Sequence, residues 1–197
     1  MAADRSDQAA AKAQLRSALL AARRARTDGE QVIARRANSA HLRAFLTPFP
    51  TIAGYLPLPT EPLAAELLNE LAATHRVLVP VVSGAAPLDW CEHPGPTQRG
   101  AFGIDEPTGP RLGPAAVAEV DVLLLPALAV DGKGHRLGRG GGHYDRTLAL
   151  RAQLSLSADV QVAVLYDEEF LDWVPVDSFD QPVTAVVTPM RGVVPVG

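Results

Sequence analysis

The chain has 197 residues, 47% of them hydrophobic and 20% charged, which places it among globular proteins and away from disordered ones. Its formal net charge of -4 argues against a general affinity for nucleic acid or an anionic membrane, although a local basic patch can still hold a small anion. A lone cysteine, Cys91, excludes an internal disulfide and a thiolate metal cluster, and points to a reducing compartment.

The N-terminal stretch "MAADRSDQAAAKAQLRSALLAARRAR" carries charges throughout, and no run approaches the roughly 20 apolar residues of a membrane span. A single soluble domain over 1–197, cytoplasmic and monomeric, is the expectation. Residues 8–26 predict an amphipathic helix capped at Ser6 or Asp7, and 30–46 a second helix after the "TDGE" break. "TIAGYLPL" reads as a strand, "PLAAELLNELAATH" as a helix, and "RVLVPVV" as a strand buried on both faces. Residues 83–116 are rich in Gly and Pro and read as short extended pieces and turns; the segment is too long for a routine connection, so part of it is expected to cover a site. A central strand follows over about 120–130, then a helix from Tyr144 to about Ser155. The chain closes with a strand in "DVQVAVLYD", a short helix or turn in "DEEFLDWVPV" and a last strand in "VTAVVTP". This alternation is an α/β plan with a mostly parallel sheet, whose binding crevice lies beyond the strand C-termini, at residues 55–61 and 131–145.

The second of those segments contains "GHRLGRGGGHYDRTL". Four glycines in the five positions 138–142, leading into a helix, allow several backbone N–H groups to converge on one anion. Arg139 adds a guanidinium fork, and Asp145 a carboxylate suited to bridging magnesium and phosphate. The dinucleotide pattern G-x-G-x-x-G belongs after a first strand, whereas this segment comes late; the P-loop pattern fails because "GGHYD" stands where Gly-Lys-Ser or Gly-Lys-Thr is required. Lys12 and Arg16, four apart, share a helix face, and a solvated stripe explains them equally well. Arg23, Arg24, Arg26, Arg35 and Arg36 read as solvated charges. Glu61 is explained by a helix N-terminus unless a ligand claims it, Trp90 and Phe102 are either core or a stacking pair, and His135 and His143 lack a third metal ligand.

Taken together, "LLLPALAVDGKGHRLGRGGGHYDRTL", the outlying "YLPLPTE", "RVLVPVV" and "GAFGIDEP", and the closing "VPVDSFDQPVTAVVT" resemble the 5-formyltetrahydrofolate cyclo-ligase family over nearly the full length. The resemblance implies a three-layer α/β/α fold similar to glucosamine-phosphate deaminase, ribose-phosphate isomerase and CoA transferase. It also implies an ATP- and Mg2+-dependent ring closure of 5-formyltetrahydrofolate, possessing or lacking a polyglutamate tail, to 5,10-methenyltetrahydrofolate. Carried onto this sequence, Lys12 and Arg16 contact the ATP phosphates, and Gly138, Arg139, Gly140, Gly141, Gly142, His143, Tyr144, Asp145 and Arg146 cradle them. Asp145 holds magnesium, Arg139, Asp145 and Lys12 carry the chemistry, and Leu56, Glu61, Trp90 and Tyr144 face the folate. Two departures stand out: Gly141 occupies the place of the motif's usual lysine, and His143 that of the first tyrosine of a pair. A sugar-phosphate isomerase or deaminase, and a non-catalytic nucleotide- or folate-binding protein, remain as alternatives.

Overall fold

The computed structural model describes residues 2–100, 105–154 and 160–197, with the side chains of 2–6 left aside. Phe102 and Ser155 lie outside the described residues, as does the Ser6 side chain. Helix α1 (Ala2–Ala25) is followed at once by α2 (Asp28–Leu46). Between them Thr27 forms a capping box: its hydroxyl accepts from the Glu30 N–H at 3.3 Å while the Glu30 carboxylate accepts from the Thr27 N–H at 2.7 Å.

A seven-stranded sheet forms the centre. It contains β1 (Thr51–Ala53), β2 (Arg76–Val81), β3 (Asp89–His93), β6 (Val122–Pro126), β9 (Val160–Val164), β11 (Ala185–Thr188) and β12 (Gly192–Pro195), in the spatial order β12-β11-β9-β6-β1-β2-β3. The five inner strands are parallel, and the two edges, β3 and β12, are antiparallel. Alternate residues sort cleanly onto two cores. Val77, Val79, Val122, Leu124, Val162, Val164 and Val187 pack with Leu42 and Leu46 of α2 and with Leu67, Leu68 and Leu71 of α3 (Ala65–Leu71). Leu78, Leu123, Leu125, Ala163 and Val186 pack on the other face with Leu148 of α4 (His143–Leu154) and with Ala116 and Val117 of a short 3-10 segment. Helices on both faces of a mostly parallel sheet make the expected α/β/α fold.

Two departures from the sequence reading are local. The strand expected over 120–130 is two strands. Pro126 has no N–H to continue the ladder, so the chain leaves the main sheet and β7 (Ala129–Asp131) joins a small sheet with β8 (Arg136–Leu137) and β10 (Phe170–Leu171). The short extended pieces expected after Val82 are the edge strand β3 and a hairpin, β4 (Thr97–Arg99) with β5 (Asp105–Pro107). The strand β12 was not expected; it returns from β11 through a turn at Gly192, whose φ is +69°. Leu15 and Leu19 of α1 pack against Ala129, Leu137 and Val174, so the first helix lies on the small sheet.

The chain steps from β1 to β2 on one side and later returns to β6 on the other, where Ile52 pairs with both Val77 and Val122. That reversal, at the C-terminal ends of β1 and β6, opens a crevice in a parallel sheet.

Candidate active site

A cavity of about 640 Å³ occupies this crevice, walled by the segments after β1 and β6, by the loop from β8 into α4, and by one face of α1. The helix contribution follows from periodicity. Lys12, Leu15, Arg16, Leu19 and Arg23 fall at intervals of three and four, so the stripe that α1 turns inward holds two leucines on the small sheet and three cations on the cavity.

Each cation has a distinct engagement. Lys12 Nζ lies 2.5 Å from both Asp177 Oδ2 and Asp180 Oδ2, with only 7% of its side chain exposed. Arg16 Nε donates to the Gly138 carbonyl at 2.8 Å, fixing the start of the glycine loop. Arg23 is buried; its guanidinium grips Glu169 through contacts of 2.6 and 2.8 Å, donates to the Ala127 carbonyl at 2.6 Å, and comes within 4.0 Å of Glu61. Arg139 is different. Its side chain is 43% exposed and its contact with a carboxylate is a loose 3.5 Å approach to Glu61 Oε1. It is therefore the guanidinium best placed to accept an incoming anion.

The glycine loop has the form expected of an anion cradle. Gly140 and Gly142 have φ values of +100° and +66°, in the left-handed region that side chains disfavour, and both line the cavity immediately before the N-terminus of α4. Asp145 sits in the first turn of α4. Its Oδ1 accepts from Arg136 Nη2 at 2.7 Å and from the Gln181 N–H at 3.2 Å. The opposite wall carries Glu61, which is buried; its Oε2 accepts from the Leu58 N–H at 2.9 Å while Oε1 faces Arg23 and Arg139. Tyr144 also lines the cavity, and burial, reinforced by the Glu61 charge, pushes its phenol well above the usual range despite the opposing Arg136.

The structure thus brings Lys12, Arg16, Leu56, Glu61, Gly138, Arg139, Gly140, Gly141, Gly142, His143, Tyr144 and Asp145 to one cavity. Two expected residues are elsewhere. Trp90 is fully buried in the core beside Leu78 and Leu123, with no face free for a heterocycle. Arg146 turns back on its own loop, donating to the Gly141 carbonyl at 3.0 Å and meeting His143 Nδ1 at 3.1 Å, so it braces the cradle from behind. The helix-dipole explanation for Glu61 falls away, because α3 begins four residues later and the carboxylate is spent on Leu58 and the arginines.

The solvated reading holds for Arg24 and Arg36, which are exposed, but not for Arg23, Arg26 or Arg35. Arg26 stacks 3.9 Å from the Tyr166 ring centroid, and Arg35 donates to the Glu61 carbonyl at 3.0 Å. Arg23 was detectable in principle, being eleven positions on from Lys12 and so on the same stripe of α1. Arg136, Asp177 and Asp180 lie inside the motifs that carry the resemblance, but nothing local shows which groups long-range pairing sets against them.

A triphosphate suits these residues: backbone donors, a helix N-terminus and an exposed guanidinium converge with no Cβ at the loop's tight positions. A magnesium ion finds less from the protein. Among the described residues no group of three His, Cys, Asp or Glu side chains stands ready for a metal. Asp145, with one oxygen already engaged, suits an ion that takes most of its ligands from phosphate and water.

Comparison with known proteins points to one family. The profile of the 5-formyltetrahydrofolate cyclo-ligase family matches residues 8–189. A 5-formyltetrahydrofolate cyclo-ligase of Mycolicibacterium smegmatis is 41% identical over 196 residues, covering 93% of this chain and 96% of that one. The cyclo-ligase of Escherichia coli K12 is 39% identical over 75 residues, 38% of this chain and 40% of its own. Among solved structures, the 5,10-methenyltetrahydrofolate synthetase of Aquifex aeolicus superposes with a TM-score of 0.73 at 29% identity, covering 93% of this chain and 92% of that one. The synthetase of Mycoplasma pneumoniae superposes with a TM-score of 0.71 at 22% identity over 90% and 98% of the two chains, a likeness of fold.

Proposed function

Since the chain belongs to the 5-formyltetrahydrofolate cyclo-ligase family, we propose that its cavity, with Mg2+ as cofactor, closes 5-formyltetrahydrofolate to 5,10-methenyltetrahydrofolate at the expense of ATP. The observation that carries this reading is the 3.5 Å approach of Arg139 to Glu61, which sets a phosphate-binding loop directly beside a buried acceptor suited to the folate's pterin. The formyl oxygen attacks the γ-phosphorus and ADP leaves. N10 then adds to the activated formyl carbon and gives up its proton to solvent, the C–O bond breaks, and the oxygen departs with inorganic phosphate. An amide-like oxygen is a weak nucleophile, so the protein's task is to align the two substrates and neutralise charge on the transferring group.

Backbone N–H groups of the glycine loop, the N-terminus of α4 and Arg139 are the donors for that charge. Lys12 joins them when the phosphates displace Asp177 and Asp180 from its ammonium. A magnesium ion held at Asp145 would supply Lewis-acid polarisation of the phosphoryl oxygens. Glu61 receives the N–H groups of the pterin and fixes the folate's orientation. Cys91 is buried and takes no part. The test is the absorbance of the conjugated methenyl product: purified protein given 5-formyltetrahydrofolate and magnesium forms it with ATP and not without. Folate binding without product over long incubation would leave a binding protein, and an ATP-independent isomerisation of a sugar phosphate would contradict the reading outright.

Two substitutions examine the loop. Asp145→Asn keeps the oxygen that Arg136 and Gln181 use, and removes only the charge. The fold is expected to persist while the magnesium requirement rises by roughly tenfold or more, the scale on which metal sites respond to a lost supporting group. An unchanged magnesium titration would show Asp145 to be purely a brace for Arg136. Gly141→Lys restores the motif's usual cation. Gly141, unlike its neighbours, does not have a positive φ, and a Cβ there would meet only the movable His143 ring, at 2.8 Å from Cδ2. The variant is expected to melt near the parent temperature and to bind ATP about tenfold more tightly, the worth of one charge-assisted hydrogen bond. Unchanged ATP affinity in a folded variant would mean that position 141 does not face the phosphates.

A further inference from the structure

We propose that Tyr55 is a specificity-determining residue whose hydroxyl donates a hydrogen bond to an acceptor on the heterocycle that Glu61 holds. The inference rests on the proposed folate reading and concerns a residue outside the loop and helix that bind the phosphates.

Tyr55 stands two residues beyond the end of β1, at the mouth of the crevice, and only 3% of it is exposed. Its ring belongs to the core cluster with Leu63 and Leu67, so the side chain is held in place by packing. The hydroxyl is buried, yet it has no hydrogen-bond partner among the described residues. Tyr166, by contrast, donates to the Thr60 carbonyl at 3.2 Å. Of the buried side-chain polar atoms without a partner among the described residues, the Tyr55 hydroxyl alone belongs to a wall of the large cavity. A phenol stranded in a protein interior is costly, and the cost falls away when a ligand supplies the acceptor.

The surroundings define what that ligand presents. The charges acting on the Tyr55 hydroxyl are chiefly those of Glu61 and Arg23, both of which line the cavity. Burial pushes the phenol well above its usual range, so the group stays protonated and has a hydrogen to give. Glu61, as a carboxylate, only accepts. A fixed acceptor beside a fixed donor reads a heterocycle edge that carries an N–H group next to a carbonyl oxygen or an unprotonated ring nitrogen. A site that buries such a pair rejects ligands lacking the matching atoms, because the protein's own groups are then left unpaired.

The test is Tyr55→Phe, which keeps the ring and removes the oxygen. Equilibrium binding of 5-formyltetrahydrofolate and, separately, of ATP is measured on both proteins beside a thermal melt. The expected result is about tenfold weaker folate binding in the variant, unchanged ATP binding, and a melting temperature equal to or above the parent's. Folate affinity equal to the parent's overturns the inference and leaves the functional reading intact. So does a joint fall in both affinities with a lower melting temperature, which would mark Tyr55 as structural. A parent protein that fails to bind the folate at all overturns the functional reading, and the inference with it.

Discussion

Arg139→Ala is expected to lower turnover by about 10²-fold, the scale seen when one transition-state donor is lost, with a melting temperature close to the parent's. The separation follows from how the side chain is held. Arg139 is 43% exposed, and its contact with Glu61 is a loose 3.5 Å, so truncation strands no tightly paired group. Its neighbours among the cavity cations are committed already: Lys12 to Asp177 and Asp180, Arg16 to the Gly138 carbonyl, and Arg23 to Glu169. Removing Arg139 therefore takes away the charge freest to follow the transferring phosphoryl, and the loss falls on kcat more than on folate affinity. Steady-state kinetics beside a melt decide the matter. Unchanged kcat would mean that the loop's backbone and Lys12 suffice.

The second large effect is on stability. Arg23→Ala is expected to cost about 3–5 kcal/mol in a denaturant titration, because breaking a buried ion pair leaves the partner charge without compensation. Side-chain exposures of 1% for Arg23 and 4% for Glu169 put both groups out of reach of solvent. Burial alone raises the Glu169 carboxyl above its ordinary range, and the Arg23 guanidinium opposes that shift. The same guanidinium satisfies the Ala127 carbonyl, where the chain leaves the main sheet, so truncation strands an acceptor as well. Against a typical total stability of about 5–15 kcal/mol this is a large share. Replacing both partners together, Arg23→Met with Glu169→Leu, is expected to recover part of the loss, since it removes the stranded charge while the Ala127 carbonyl and the Tyr166 N–H lose their partners. A loss below about 1 kcal/mol for Arg23→Ala, the scale of a surface ion pair, would contradict the buried-pair account.

The α/β plan with a mostly parallel sheet was legible because buried parallel strands write themselves as continuous apolar runs. "RVLVPVV" became β2 almost residue for residue, and β6 occupies the first half of the strand expected over 120–130. The glycine loop was legible for a related reason: glycines at 140 and 142 are required by backbone geometry that no side chain accommodates readily. What the sequence obscured was partnership. Lys12 and Asp180 are 168 positions apart, and nothing local reports their contact. Arg23 resembled a solvated charge because its burial depends on Glu169, which arrives from beyond β9. Trp90 misled in the opposite direction, since a tryptophan flanking a Pro- and Gly-rich stretch reads as a stacking surface until the antiparallel edge strand β3 turns it into the core.

The central claim is that the cavity joins the formyl oxygen of one substrate to the γ-phosphorus of the other. The most direct measurement gives the enzyme 5-formyltetrahydrofolate carrying 18O in the formyl group, with ATP and magnesium, and weighs the inorganic phosphate released. The account predicts one 18O atom in each phosphate for every methenyl product formed. Unlabelled phosphate, with the 18O recovered in water, would contradict it.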